Sequence, residues 1–294
     1  MKKYLYLGLV SAILVTSVIL TPPSPALGWS QSFHAYVAKE SLELNRRYIA
    51  SYNARLGSIV PDFFWLLQTK GLITPEEAYL LHGATEQGCV SEATTYFYMT
   101  AAEMIDLEPW FYRRRLSYFV EGIGTHVYAD ITAHDPDDGY VVQWIDIFMS
   151  ETPWVDAEAL HLALEFAVDA LLVHQKGLQL GDLLFCYMQS NYVEEVVEEL
   201  LGDPGFDVSR EFNKYLTLMR LLEKLAGLYT PYLTGETDGM DLVLSDEILL
   251  IDSDVLTILL YYPEQIYETL TGDVHWETAL DEAIDFCQHP VYCW

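Results

Sequence analysis

Positive charge is scarce in this sequence: its 294 residues carry 15 Lys and Arg against 44 Asp and Glu, a formal charge of −29. A surface of that sign repels polyanions, which argues against a nucleic-acid partner. The basic patch that such a role needs shrinks here to one cluster, Arg113-Arg114-Arg115, which reads as helix surface. Cysteine is sparse as well. Cys89, Cys186, Cys287 and Cys293 suffice for two disulfides, Cys287 and Cys293 being the closest pair in sequence, but the connectivity stays open and all four can be free thiols. Strand-like alternation is rare, and there is no internal repeat, no low-complexity tract and no β-rich C-terminal region. No segment after the N-terminus has the apolar length of a transmembrane helix.

What is present begins with MKKYLYLGLVSAILVTSVIL, a basic end followed by an apolar run, then TPPSPALG with Ala26 and Gly28 at small-residue positions. This is the pattern of a cleaved secretory signal over residues 1–28, leaving a mature chain of 29–294. The expected location is then secreted, periplasmic or otherwise outside the cytoplasm. An uncleaved membrane anchor is the rival reading, weakened by Pro22, Pro23 and Pro25. Loss of Lys2 and Lys3 would leave 13 basic residues against 44 acidic ones, or −31.

Helix signals fill the remainder. Thr74-Pro75-Glu76-Glu77 has the cap-then-proline form of a helix start, and Asp106 to Pro109 and Asp156 to Glu158 mark two more. VEEVVEELL, SREFNKYLTLMRLLEKLAGLY and HWETALDEAIDFC space apolar residues at three and four, while TGETDGMDLVLSDE reads as an acidic loop. The expected fold is a single all-α, multi-helix domain.

Chemistry concentrates in the histidines. Of the eight, His34, His82, His126, His134 and His161 sit in contexts suited to metal binding, and His174, His275 and His289 do not. In GIGTHVYADITAHD, His126, Asp130 and His134 recur at every fourth position, so two imidazoles and a carboxylate share one helix face beside Gly122 and Gly124. His34 lies on the first helix of the mature chain, Asp62 follows Pro61 at the end of an extended loop, His82 ends the helix of PEEAYLLHG, and HLALE sets His161 and Glu165 at i and i+4. Asp135 to Gly139, DPDDG, resembles part of a calcium loop but lacks the later Glu and reads as a solvated turn.

In order, an N-terminal Trp29 freed by processing, His34, Asp62, His82, His126-x3-Asp130, His134 and His161-x3-Glu165 resemble the ligand series of the secreted zinc-dependent phospholipases C, to which a group of trinuclear-zinc single-strand nucleases is related. The resemblance implies up to three zinc ions in an all-helical domain. It assigns Asp62, His82, His126 and Asp130 to one zinc, the Trp29 amine and carbonyl with His34 and Asp130 to a second, and His134, His161 and Glu165 to the third. Asp130 would bridge the first pair, and Asp62 would orient or deprotonate the attacking water as the catalytic carboxylate. A zinc-bound hydroxide would then attack a phosphodiester, with no Ser or Cys nucleophile.

The chain departs from the family pattern at Asp130-x3-His134, where five intervening residues are usual. GIGTHVYADITAH is however similar to the motif of glycosylphosphatidylinositol-specific phospholipase D, a branch with the shorter spacing, so C- and D-type cleavage both stay open. Trp29-x4-His34 is similar to the nuclease spacing, whereas Glu165, and the absence of an Asn before His161, resemble the phospholipases. The expectation is an exported zinc phosphodiesterase that meets a membrane surface transiently and acts on phospholipids. The alternatives are a single-strand nuclease or nucleotidase, and a non-catalytic envelope protein that keeps a partial metal site.

Overall fold

The computed structural model describes residues 31–43, 48–82, 92–135, 137–177, 187–237 and 251–289. Residues 1–28 and Trp29 lie outside these, as do Cys89, Cys186, Cys293 and most of the expected acidic loop. Among the described residues all regular structure is helical and there is no strand, so the fold is an all-α bundle.

The helices are α1 (Gln31–Ser41), α2 (Tyr48–Ser58), α3 (Val60–Thr69), α4 (Pro75–His82), α5 (Glu92–Met104), α6 (Trp110–His134), α7 (Tyr140–Glu151), α8 (Ala157–Lys176), α9 (Tyr187–Leu201), α10 (Val208–Leu233), α11 (Ser253–Tyr261), α12 (Pro263–Thr271) and α13 (Trp276–Gln288). Local chemistry accounts for several boundaries. The Thr74 backbone amide donates to Glu77 and the Glu77 amide to Thr74 Oγ1, a reciprocal cap ahead of Pro75. Asp156 caps α8 by accepting from the Ala159 amide.

Two sequence expectations are corrected. Asp106 does not cap α6: it lies in a short 3-10 turn, Ile105–Leu107, and α6 starts after Pro109 without a side-chain cap. Asp62 does not follow an extended loop either, because Pro61 sits in the first turn of α3, where proline's missing N–H costs nothing.

One continuous apolar core runs from α1 to α13 and contains Phe33, Phe63, Phe64, Phe119, Trp144, Tyr215 and Trp276. Through it passes α6, 25 residues and about 37 Å long, flanked by α1, α2, α5, α7 and α13. Its contact with α2 is a backbone-to-backbone approach. A Cβ added at Gly122 would lie 2.0 Å from the Ala54 carbonyl oxygen, and one at Gly57 only 1.8 Å from that of Phe119. The paired glycines let the two helices run side by side in the same direction. That places Ser58, at the end of α2, against His126, one turn beyond Gly122.

Candidate metal centre

Five helices deliver the eight described residues singled out above to one region of the core: His34 from α1, Asp62 from α3, His82 from α4, His126, Asp130 and His134 from α6, and His161 and Glu165 from α8. They gather into three groups whose ligand atoms lie within 4.8 Å of one another: His34, His126 and Asp130; Asp62, His82 and His126; and His134, His161 and Glu165. Trp29 falls outside the described residues.

His126 is the hinge of the first two groups. Its Nδ1–H donates to the Ser58 carbonyl at 2.7 Å, which leaves Nε2 facing the cluster. From there Nε2 lies 3.2 Å from Asp130 Oδ2 and 3.3 Å from His82 Nε2. Asp130 divides its oxygens: Oδ2 also faces His82 at 3.5 Å, while Oδ1 faces His34 Nε2 at 3.4 Å. The carboxylate thus offers one oxygen to each of the first two groups. Asp62 turns Oδ1 toward His82 at 3.4 Å. The third group is tied by His161 Nε2 to Glu165 Oε1 at 2.8 Å, with His134 Nε2 3.4 Å from the same oxygen. Since α6 is unbroken through residue 134, a step of four from Asp130 keeps His134 on the common face, and the shorter spacing is accommodated without a bulge.

Residues that the sequence did not single out hold this arrangement. The Gln31 side-chain amide donates to Asp62 Oδ2 at 2.6 Å, and the Tyr215 hydroxyl, from α10, faces Gln31 Oε1 at 2.6 Å and the Ile59 carbonyl at 2.9 Å. Asp169 of α8 accepts from the Ser32 and Phe33 amides and so fixes the start of α1 one residue before His34. Trp65 packs its ring 5.1 Å from that of His82. Gln31 lies one turn before His34, so a sequence signal existed for it; the partners contributed by Ser58, Asp169 and Tyr215 are purely tertiary. Of the other histidines, His275 caps α13 and His289 is exposed beside Asp285.

The electrostatics are those of an anionic cage around imidazoles. Burial alone would depress His126, yet the carboxylates of Asp130 and Asp62 outweigh it and raise its pKa to about 9. Burial would raise both aspartates, and the surrounding histidines instead lower Asp62 and hold Asp130 well below the usual carboxylate range. His34 falls to about 3, chiefly through burial and next through the neighbouring His126. Burial raises Glu165 to about 7, and lowers His134 to about 4.

The donor set fits zinc. Imidazole nitrogens and carboxylate oxygens are its usual protein ligands, and two nitrogens about 2.0–2.1 Å from one tetrahedral ion stand about 3.3 Å apart, the spacing of His82 and His126. Both ring nitrogens of His34, Asp62 Oδ1 and Asp130 Oδ1 are buried without a hydrogen bond, although each such group costs about 1–3 kcal/mol when left unsatisfied. Cations held between these atoms would satisfy them.

Fold and site together define an all-helical protein with clustered imidazole and carboxylate groups that could hold metal ions. The family model for zinc-dependent phospholipase C matches residues 33–210, well over half the chain and including all eight described residues of the site. The chain belongs to the zinc-dependent phospholipase C family, and is thereby a zinc-dependent hydrolase with a phospholipid substrate. Comparison with the curated proteins and with the solved structures found no match.

Proposed function

We propose that the protein is an exported phosphodiesterase that cleaves phospholipids by C- or D-type hydrolysis at a site for up to three zinc ions. The observation that carries this reading is the convergence of eight imidazole and carboxylate side chains, scattered over residues 34–165, into three contiguous ligand groups. Asp62, His82, His126 and Asp130 would hold one ion. His34 and Asp130, completed by the α-amine and carbonyl of Trp29, would hold the second, and His134, His161 and Glu165 the third. Export rests on the basic, apolar and small-residue sequence of residues 1–28.

Bound zinc supplies Lewis acidity, which lowers the pKa of a water toward 7 and draws charge from phosphodiester oxygens. The protein's own part is positional. Ionised Asp62, held through Oδ2 by Gln31, turns Oδ1 to the metal-ligand group beside His82, where it would both help hold an ion and orient the attacking water next to it. His126, locked by Ser58, and Asp130, with its oxygens turned to opposite sides, fix the spacing of the first two groups. The many acidic residues disfavour a polynucleotide substrate.

Elemental analysis of the mature chain, followed by product assays, tests the reading. Two or three zinc ions and release of diacylglycerol or phosphatidic acid are expected. Release of nucleotides alone would identify a nuclease, and one zinc or none with no turnover would identify a binding protein.

A further inference from the structure

On a surface of α2 and α6 away from the metal-ligand groups, large apolar side chains stand in solvent. Trp110 is 81 % exposed, Tyr48 67 %, Ile49 55 % and Phe111 52 %. Tyr48, Ile49 and Phe111 line a groove of about 480 Å³ together with Ala50, Tyr118 and the guanidinium side chains of Arg114 and Arg115. Trp110 and Phe111 stand edge to face at 6.0 Å, so the aromatic surface is continuous with the groove.

The charge here is opposite to that of the chain. Arg114 and Arg115 are exposed and, among the described residues, make no ion pair, in a protein of formal charge −29. Arg113 is engaged elsewhere, on the carbonyls of Asp106 and Glu108. In sequence, Tyr48 is itself preceded by Arg46 and Arg47. Arginines that make no ion pair among the described residues can pair at contact distance with a negatively charged partner even on a chain of charge −29, since acidic side chains farther away are screened beyond about 8 Å at physiological salt. Tryptophan and tyrosine beside arginine form the combination that settles at the boundary between lipid head groups and acyl chains.

We infer that this face docks the protein onto an anionic phospholipid bilayer, with Trp110, Phe111, Tyr48 and Ile49 entering the head-group layer and Arg114 and Arg115 pairing with lipid phosphates. The choice of occupant rests on the phospholipid reading of the site. The surface is nevertheless separate from the site: Arg115 and His126 are eleven residues, about 16 Å, apart along α6. Docking therefore raises the local concentration of substrate without taking part in its cleavage.

The test compares the zinc-loaded wild type with Arg114→Gln/Arg115→Gln and Trp110→Ser/Phe111→Ser. Cosedimentation is measured with phosphatidylcholine vesicles with and without phosphatidylserine, and hydrolysis with a short-chain phosphatidylcholine below its micelle concentration. The wild type is expected to bind the serine-containing vesicles with a salt-sensitive affinity and a blue shift of tryptophan emission. The double arginine variant should bind them about 25-fold more weakly, roughly fivefold per arginine. The aromatic variant should lose the blue shift, and both should hydrolyse the short-chain lipid at the wild-type rate. Equal vesicle binding by all three proteins, or none by the wild type, overturns the inference. So does self-association of the wild type without lipid that both variants lose, because the occupant would then be a second copy of the chain. If the binding pattern holds while no phospholipid is hydrolysed by any form, docking stands and the proposed function falls.

Discussion

Gly122→Ala should loosen the metal centre without touching a ligand, through the helix contact that positions His126. The new methyl carbon would lie 2.0 Å from the Ala54 carbonyl oxygen and 2.8 Å from its carbon. Ordinary C···O contacts begin near 3.3 Å, so α2 and α6 must part locally by more than an ångström. The obstacle is backbone and cannot rotate aside. Alanine's better helix propensity returns about 1 kcal/mol, while overpacking costs about 1–3 kcal/mol, and against rigid backbone the upper part of that range, about 2–3 kcal/mol, applies. A net loss of about 1–2 kcal/mol follows, or about 2–8 °C in Tm for a protein of this size. The same opening acts on the 2.7 Å bond from His126 to the Ser58 carbonyl, one turn along, and stretches it beyond hydrogen-bond length. Zinc affinity should therefore fall together with Tm, by about tenfold or more, as when other groups that orient a liganding histidine are lost.

Calorimetry and equilibrium dialysis measure the two effects, and two other glycines calibrate them. At Gly124 the added carbon would meet only the Tyr98 ring, at 3.1 Å, and a side chain can shift, so a smaller loss is expected. At Gly227, in α10, nothing lies within 4 Å, and Gly227→Ala should raise Tm slightly through helix propensity alone. A Gly122→Ala protein as stable as the wild type, with unchanged zinc affinity, would refute the close-approach argument.

Removing zinc with a strong chelator should lower Tm, because ligands from five helices meet only in the folded state; an unchanged thermogram would show that metal adds nothing to folding. Asp62→Asn should reduce turnover by about 100-fold or more while most zinc is retained, the signature of a proton acceptor rather than an indispensable ligand; parallel loss of metal and activity would contradict that role. Tyr215→Phe removes the hydroxyl that faces Gln31 Oε1 and frees the amide that holds Asp62, so zinc affinity should weaken about tenfold with little change in fold by circular dichroism. A mature form beginning at Trp29 should carry more zinc and activity than one extended by a few residues, since an amide replaces the α-amine in the longer form; equal metal and activity in both would remove Trp29 from the site.

What could be read in the residues and what could not divide along physical lines. The Thr74 to Glu77 cap, the Asp156 cap and the stripe of His126, Asp130 and His134 depend on contacts within one or two turns, so spacing alone specifies them. Errors arose where a local signal had two outcomes. Pro61 breaks a helix from within but opens one from its first turn, and the packing of α3, chiefly against α4 and α10, decides that Asp62 is helical. Asp106 has the chemistry of a cap, yet Pro109 sets the start of α6 and Asp106 is left to the turn before it. The groups that aim the histidines and carboxylates are a backbone carbonyl, Ser58, and side chains such as Tyr215, 153 residues from Asp62 along the chain. A carbonyl has no sequence signature, and a tyrosine on the apolar face of α10 looks like any core aromatic until its hydroxyl is seen beside Gln31. Ligand identity is written in residue types, whereas ligand direction is decided by close helix contacts such as Gly57 and Gly122, which the sequence shows only as small residues. That is why a substitution at Gly122, a residue that is no ligand, tests the centre as sharply as one at His126.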